Sequence, residues 1–351
     1  MDKATSKIPS TAPSILIILM GSIGDVARGL CLVSHIKNYL PGSRVTWLVE
    51  PTCSEVVRLH PRIDKVIVFN RPRNFLGIRD LYKDLSREHF DITLDLQRHL
   101  KSGFFSFLSG AKRRIGFNRR NSGEFNWIFN NEHIPYVNDE LELPKLHHYL
   151  KFTEYLGLSK PVSLDFGFSC LDEKSKLPDI IAKISEPFIA VVMGSSWGSK
   201  DWFFEGYYRL TKNILTSIKG AVVLLGDGSQ VLSATKLCQK VGSHELVNLV
   251  GETSILELVA VLKAAVAGVG PDSGPGHLAA AVGTPYVSLF GPTSPMRAAP
   301  YNCEHLVVQS GISCVSCYKK KCPDLDRLCM RRISVEAVQE KLFVALETAG
   351  A

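Results

Sequence analysis

The chain has little with which to enter a membrane. The longest apolar run near its start, Ile15 to Met20, is six residues, where ~20 are needed to span a bilayer. Lys3 and Lys7 precede that run as in a secretion signal, but no small-residue cleavage site follows it. The expectation is a buried first strand in a cytoplasmic protein. Two nucleotide signatures are also missing. Gly21-Ser-Ile-Gly24 lacks the G-x-G-x-x-G spacing of a dinucleotide turn, and Lys200 stands outside the Walker pattern G-x-x-x-x-G-K-[ST]. No recognised nucleic-acid module occurs, so nucleic acid is not an expected partner. Low-complexity segments and short repeats are absent, and 45% apolar with 21% charged residues is ordinary for a globular protein.

Acidic residues are scarce in one region. From Arg71 to Arg120 twelve Lys or Arg stand against five Asp or Glu, a surplus equal to the net +7 of the whole chain. Such a patch attracts acidic lipid or a phosphorylated substrate, or else stays a solvated basic face. Cysteine is not scarce: there are nine, four of them in Cys314-x2-Cys317-x4-Cys322-x6-Cys329. Disulfides are not expected in a cytoplasmic protein. Reduced thiols that tie down a loop, or a structural zinc on Cys314, Cys317, Cys322 and Cys329, are the two readings left open. No histidine stands beside them to make a catalytic thiol.

Short β-rich runs alternate with helical patterns in both halves. Strands are expected at Ile15–Met20, Val45–Val49, Val66–Phe69 and Ile92–Leu96, then at Phe188–Met193, Ala221–Leu225, Ala267–Gly270 and Tyr286–Phe290. Helices are expected between them, among them Val26–Tyr39, Leu146–Leu156, Gly276–Val282 and Val335–Thr348. This rhythm predicts an α/β chain of two Rossmann-like, doubly wound domains, and 351 residues are enough for two cores. The charged stretch Leu171–Pro178 reads as the linker, giving domains 1–170 and 171–351, with the last helix free to pack back on the first. The run Phe104–Leu108 reads as core helix rather than membrane wedge.

Candidate chemistry falls at strand ends. Gly270-Pro-Asp272-Ser273-Gly274-Pro-Gly-His277 joins a strand to a helix start, where free N–H groups and the helix dipole meet an anion. Ser195, Ser196 and Lys200 follow another strand and suit a diphosphate. Gly226-Asp-Gly228 is a weaker turn signal. At the first strand's exit Asp25 follows Gly24, either as a functional carboxylate or as the N-cap of a helix starting at Val26. Gln97, Arg98 and Lys101 follow the fourth strand and would face the same cleft. Trp202 reads as a packing anchor.

These segments, in order and over nearly the whole chain, resemble the lipopolysaccharide heptosyltransferase-like family, glycosyltransferase family nine. The resemblance rests on Ile15–Val26, Arg44–Pro51, Asp95-Leu-Gln97 with Lys101-Ser, Gly194-Ser-Ser with Lys200-x-Trp202, Asp272–Ala281 and Phe290-Gly-Pro-Thr293. The resemblance implies a GT-B fold with an inter-domain cleft and the donor held mainly by the second domain. It implies inverting transfer of heptose from ADP-heptose to the lipopolysaccharide inner core, without a cofactor. Partners would then be a nucleotide-sugar donor, an anionic glycolipid acceptor and the cytoplasmic membrane surface, on which the protein would be peripheral. By the same resemblance Asp25 is the catalytic base. Ser195, Ser196, Lys200, Asp272, Ser273, Gly274 and His277 bind the donor, and Gly24, Gln97 and Lys101 lie on the acceptor side. Gly276, where members often carry a larger residue, and the serine pair Ser195-Ser196 are departures that bear on donor fit. Alternatives are transfer of another hexose or N-acetylhexosamine, a GT-B nucleotide-sugar 2-epimerase, or a glycan-binding module without turnover.

Overall fold

Runs of Ile, Leu and Val without polar alternation demand strands covered on both faces, and the chain lays down such a sheet twice. A computed structural model describes residues 12–70, 76–138, 142–168, 177–184, 187–217, 220–323 and 325–350. It divides into two compact units, Met1–Cys170 and Leu171–Ala351. Most of the expected linker lies outside the described residues.

The first unit carries β1 (Ser14–Ile18), β2 (Arg44–Val49), β3 (Lys65–Val68), β4 (Ile92–Asp95), β5 (Arg113–Gly116) and β6 (Glu132–His133). They form one sheet in the order β3-β2-β1-β4-β5-β6, with every pair parallel. The second unit carries β7 (Phe188–Val192), β8 (Ala221–Leu225), β9 (Leu246–Asn248), β10 (Ala267–Pro271), β11 (Tyr286–Phe290) and β12 (Val307–Gln309). Their order, β12-β11-β10-β7-β8-β9, is again all parallel. Counted from the first strand of each unit, both sheets have the Rossmann order 3-2-1-4-5-6. Each therefore reverses its winding once, between β1 and β4 and between β7 and β10. At such a switch point the crossover connections leave in opposite directions, and a ligand finds room beyond the strands' carboxyl ends.

The helix expected over Val26–Tyr39 is two, Ile23–Gly29 and Cys31–Tyr39. The break follows Gly29, a weak helix former. A Cβ there would come within 2.7 Å of Leu19 and 3.2 Å of Trp47, so the glycine lets the helix lie close on β1 and β2. In the second unit, Ser254 and Glu257 close a reciprocal capping box on Ile255–Ala264, satisfying two end groups at once. The last helix, Val335–Ala349, packs on β10, β11, β12 and the Phe204–Ser217 helix of its own unit. No helix among the described residues is long and apolar enough to cross a membrane.

Candidate active site

The candidate residues of each unit gather at that unit's switch point. In the first, β1 ends in the glycine turn, and the following helix begins at Ile23 with Ser22 as its N-cap. Asp25 thus lies inside the first turn, with Gly24 buried before it, and does not occupy the capping position. Its carboxylate accepts bonds from Arg28 Nη2 at 2.6 Å, from Lys145 Nζ at 3.0 and 3.3 Å, and from Ser22 Oγ at 3.3 Å. Lys145 heads the Lys145–Tyr155 helix, whose Tyr149 is buried nearby. Burial alone would raise the pKa of Asp25, but the charges and hydrogen bonds of Lys145 and Arg28 outweigh it. The carboxyl is held well below the usual carboxylate range and is ionised at neutral pH. Burial, and then the Asp25 charge, pushes the Tyr149 hydroxyl up, so Tyr149 stays protonated.

Across the same switch point, Gln97 donates from Nε2 to the Gly21 carbonyl at 3.0 Å and from its backbone to Asp95 Oδ1 at 3.1 Å. Gln97 therefore ties the β4 exit to the turn that carries Asp25. Lys101 is engaged by Glu50, at 2.7 Å, and lies 5.4 Å from the Phe69 ring centre. Asp95 itself is fully buried. It accepts from Asn126 Nδ2 at 2.6 Å, Ser102 Oγ at 3.2 Å and Asn130 Nδ2 at 3.3 Å, with no cation paired to it among the described residues. Burial pushes its carboxyl up to about 6 in spite of those bonds.

In the second unit β10 delivers Asp272, buried, into a knot of three loops. Lys200 Nζ and Thr293 Oγ1 both donate to Asp272 Oδ2 at 2.7 Å, and His277 Nε2 lies 4.0 Å from Oδ1. Lys200 comes from the β7 exit and Thr293 from the β11 exit. Ser273 is the N-cap of the Gly274–Ala281 helix, but its hydroxyl donates to the Pro271 carbonyl and does not cap the helix N–H groups. Ser195 turns its own loop: its hydroxyl donates to the Trp197 carbonyl at 2.9 Å and its N–H donates to Asp201 Oδ1 at 2.8 Å. Ser196 is exposed on that loop. Lys200 Nζ sits 4.6 Å from the Trp197 ring centre. Lys200, Asp272, Ser273, Gly274 and His277 are thus brought together, while Ser195 shapes the loop that presents Lys200.

Gly276 has a role its sequence position concealed. A Cβ there would come within 2.8 Å of the Tyr286 ring, one at Gly268 within 2.6 Å, and one at Gly270 within 2.5 Å of the Tyr286 hydroxyl. Three glycines form the slot for one fully buried tyrosine. Packing against Tyr286 explains Gly276 without reference to donor fit.

The cysteine-rich segment braces these loops. Ser316 and Tyr318 donate backbone bonds to the Gly291 and Pro292 carbonyls, at 2.9 and 2.6 Å. Arg327 reaches the Gly198 and Asp201 carbonyls at 3.3 Å. Trp202 is buried and anchors its indole N–H on the Ile333 carbonyl at 3.3 Å, the packing role expected of it. Burial raises the Cys329 thiol pKa, and the nearby Cys314, Cys317 and Cys322 raise it further. All four are free thiols. Among the described residues no group of three or more His, Cys, Asp or Glu is arranged to hold a metal ion.

Two parallel six-stranded sheets of Rossmann order, each with its polar residues at the switch point, are the architecture of the GT-B fold. The solved structure of E. coli heptosyltransferase WaaC with ADP superposes with a TM-score of 0.77 at 20% identity, over 95% of this chain and 99% of that one. The same enzyme with ADP-2-deoxy-2-fluoro heptose gives 0.73 at 20% identity, over 94% and 99%. Residues 78–326 match the model of glycosyltransferase family 9 (heptosyltransferase), and the chain belongs to that family. Among its relatives, the lipopolysaccharide core heptosyltransferase OpsX of Haemophilus influenzae is 29% identical over 82% of either chain. Lipopolysaccharide heptosyltransferase 1 of Pseudomonas aeruginosa is 26% identical over 95% of this chain and 98% of its own.

The sequence had marked most of these positions but not their partners. Arg28, Lys145 and Tyr149 around Asp25 carried no signal, since Lys145 lies 120 residues away. Thr293, in contrast, stood in the Phe290-Gly-Pro-Thr293 segment and could have been read as a support of the Asp272 turn.

Proposed function

We propose that the protein transfers heptose from ADP-heptose to a hydroxyl of the lipopolysaccharide inner core, with inversion, at the cytoplasmic face of the membrane. The observation that carries this reading is the division of charge between two switch points: an ionised carboxylate at one, and a lysine beside a helix N-terminus at the other. The heptosyltransferase relatives and the ADP-heptose analogue held by WaaC support the choice of donor and acceptor.

In the reaction the acceptor oxygen forms a bond to the anomeric carbon, and the bond from that carbon to the diphosphate breaks. The departing diphosphate carries the electron pair, and positive charge near it lowers the barrier. Lys200 and the N–H groups of the Gly274–Ala281 helix supply that charge, so the residues themselves provide what a metal ion would otherwise give. Asp272 holds Lys200 in place through an ion pair. The acceptor proton passes to Asp25. A carboxylate flanked by two cations is a weak base. It accepts the proton late, once bond formation has made the acceptor oxygen strongly acidic.

The direct test is purified protein with ADP-heptose and an inner-core acceptor, with the anomeric configuration of the product read by NMR. A retained configuration, or turnover only with another nucleotide sugar, refutes the reading. Asp25→Asn is expected to lower kcat by ~10²–10⁴-fold, the contribution of a positioned base, while ADP affinity stays unchanged. An unaltered kcat would remove Asp25 from the chemistry.

A further inference from the structure

Between Asp95 and Glu124 the chain contains no Asp or Glu and seven Lys or Arg. This stretch builds the Leu100–Leu108 helix and β5, and leads into the short helical turn Asn126–Phe129. The helix is core on one side only. Phe105 is 1% exposed, but Phe107 is 55% and Leu100 47% exposed, and on the adjoining turn Phe125 is 69% and Ile128 59% exposed.

These side chains belong to one surface, because the two elements abut. Gly103 lets the Asn126 carbonyl approach to 2.8 Å from where a Cβ would stand. The Leu100 N–H donates to Glu124 at 3.1 Å, and the Phe107 and Phe129 rings are 6.4 Å apart. Phe125 has a φ of 57°, a left-handed conformation that costs a bulky residue energy, and its ring gains no burial in return. Guanidinium groups border the patch: Arg114 lies 5.8 Å from the Phe107 ring centre and Arg119 4.8 Å from that of Trp127, while the next residue, Arg120, lies 5.3 Å from the exposed Tyr136 ring.

We propose that the exposed apolar face of the Leu100–Leu108 helix and the Asn126–Phe129 turn, with its arginine rim, docks on an anionic lipid bilayer. Apolar side chains then enter the interfacial layer while arginines pair with lipid phosphates. Charge selects this occupant. A second copy placed on the patch by two-fold symmetry would set one arginine rim against another. A nucleic acid would meet the arginines but leave the exposed Leu100 and Ile128 without a partner. The purpose of docking rests on the glycolipid-acceptor reading; the docking itself does not.

Sedimentation of the full chain with vesicles tests it, using phosphatidylcholine alone and phosphatidylcholine mixed with phosphatidylglycerol. Wild-type protein should bind the mixed vesicles at least ~10-fold more tightly than the neutral ones, and added salt should weaken binding. The triple variant Phe107→Ser/Phe125→Ser/Ile128→Ser and the pair Arg119→Glu/Arg120→Glu should each lose ~10-fold or more of that affinity. Both should keep wild-type transfer to a delipidated, water-soluble acceptor. Equal binding to the two vesicle types, or variants that bind like wild type, would overturn the proposal. So would a wild-type dimer in solution that either variant converts to monomer. Wild-type turnover on the soluble acceptor is read separately, so a failure of the heptose reading is not mistaken for a failure of docking.

Discussion

As the proposed base, Asp25 must be ionised to take a proton, yet every cation that secures its ionisation makes it a poorer base. Arg28 is buried beside it, whereas the Lys145 side chain is 33% exposed and comes from a separate helix. Lys145→Met would remove one of the two charges that depress the carboxyl. Its pKa should then rise, and, with Asp25 as the proposed base, the acid limb of the kcat/KM profile should move to higher pH. A pH–rate series on the two proteins checks this; an unmoved acid limb would show that Lys145 does not set the basicity of Asp25. At this scale the sequence was legible where a residue sits at a strand exit. Partners contributed from afar were hidden, because no local pattern ties Lys145 to Asp25.

At the level of elements, glycines and buried polar groups explain what periodicity could not. Gly276→Ala would drive a methyl into the Tyr286 ring, which β11 holds fully buried. Overpacking of this kind costs about 1–3 kcal/mol, more than the up to ~1 kcal/mol of helix propensity gained. The urea midpoint should therefore fall. Asp95 invites a different test. Its folded pKa of about 6 lies above the ordinary Asp value of 3.8, so the folded state holds the proton more tightly than the unfolded one. Stability should fall as pH rises from about 4 to about 6, by ~2–3 kcal/mol in all, then level off. Asp95→Asn, which keeps the shape but cannot ionise, should abolish that decline relative to wild type, as seen in denaturant melts across the window. The strands missed in the sequence have the same physical character. β5 is Arg-Arg-Ile-Gly and β6 only Glu-His, while β9 and β12 are three residues each towards their sheet's edges. Short, partly charged segments show no period of their own and are recruited by the neighbours they pair with. Seven of the eight legible strands lie inside their sheets, where burial on both faces demands unbroken apolar runs; the eighth, β3, is an edge strand whose Val-Ile-Val run still showed.

For the molecule as a whole, the doubly wound architecture could be foreseen from strand–helix alternation, but the strand order within each sheet could not. That order is what puts the β1 and β4 exits side by side, and likewise β7 and β10. If the second unit alone grips the nucleotide, ADP should slow hydrogen exchange in residues 194–202 and 271–278 of the full chain and leave residues 21–28 unchanged. Protection of the first set but not the second is the expected pattern in exchange mass spectrometry; equal protection of both would remove the division of labour. The repeated winding has an evolutionary consequence. Each half carries its own pair of adjacent strand exits, so changes in the loops of one half need not disturb the scaffold of the other. Under the proposed roles of Asp25 and Lys200, a lineage can diversify the glycan it extends by altering the amino-terminal half, while inheriting its taste for an activated sugar intact.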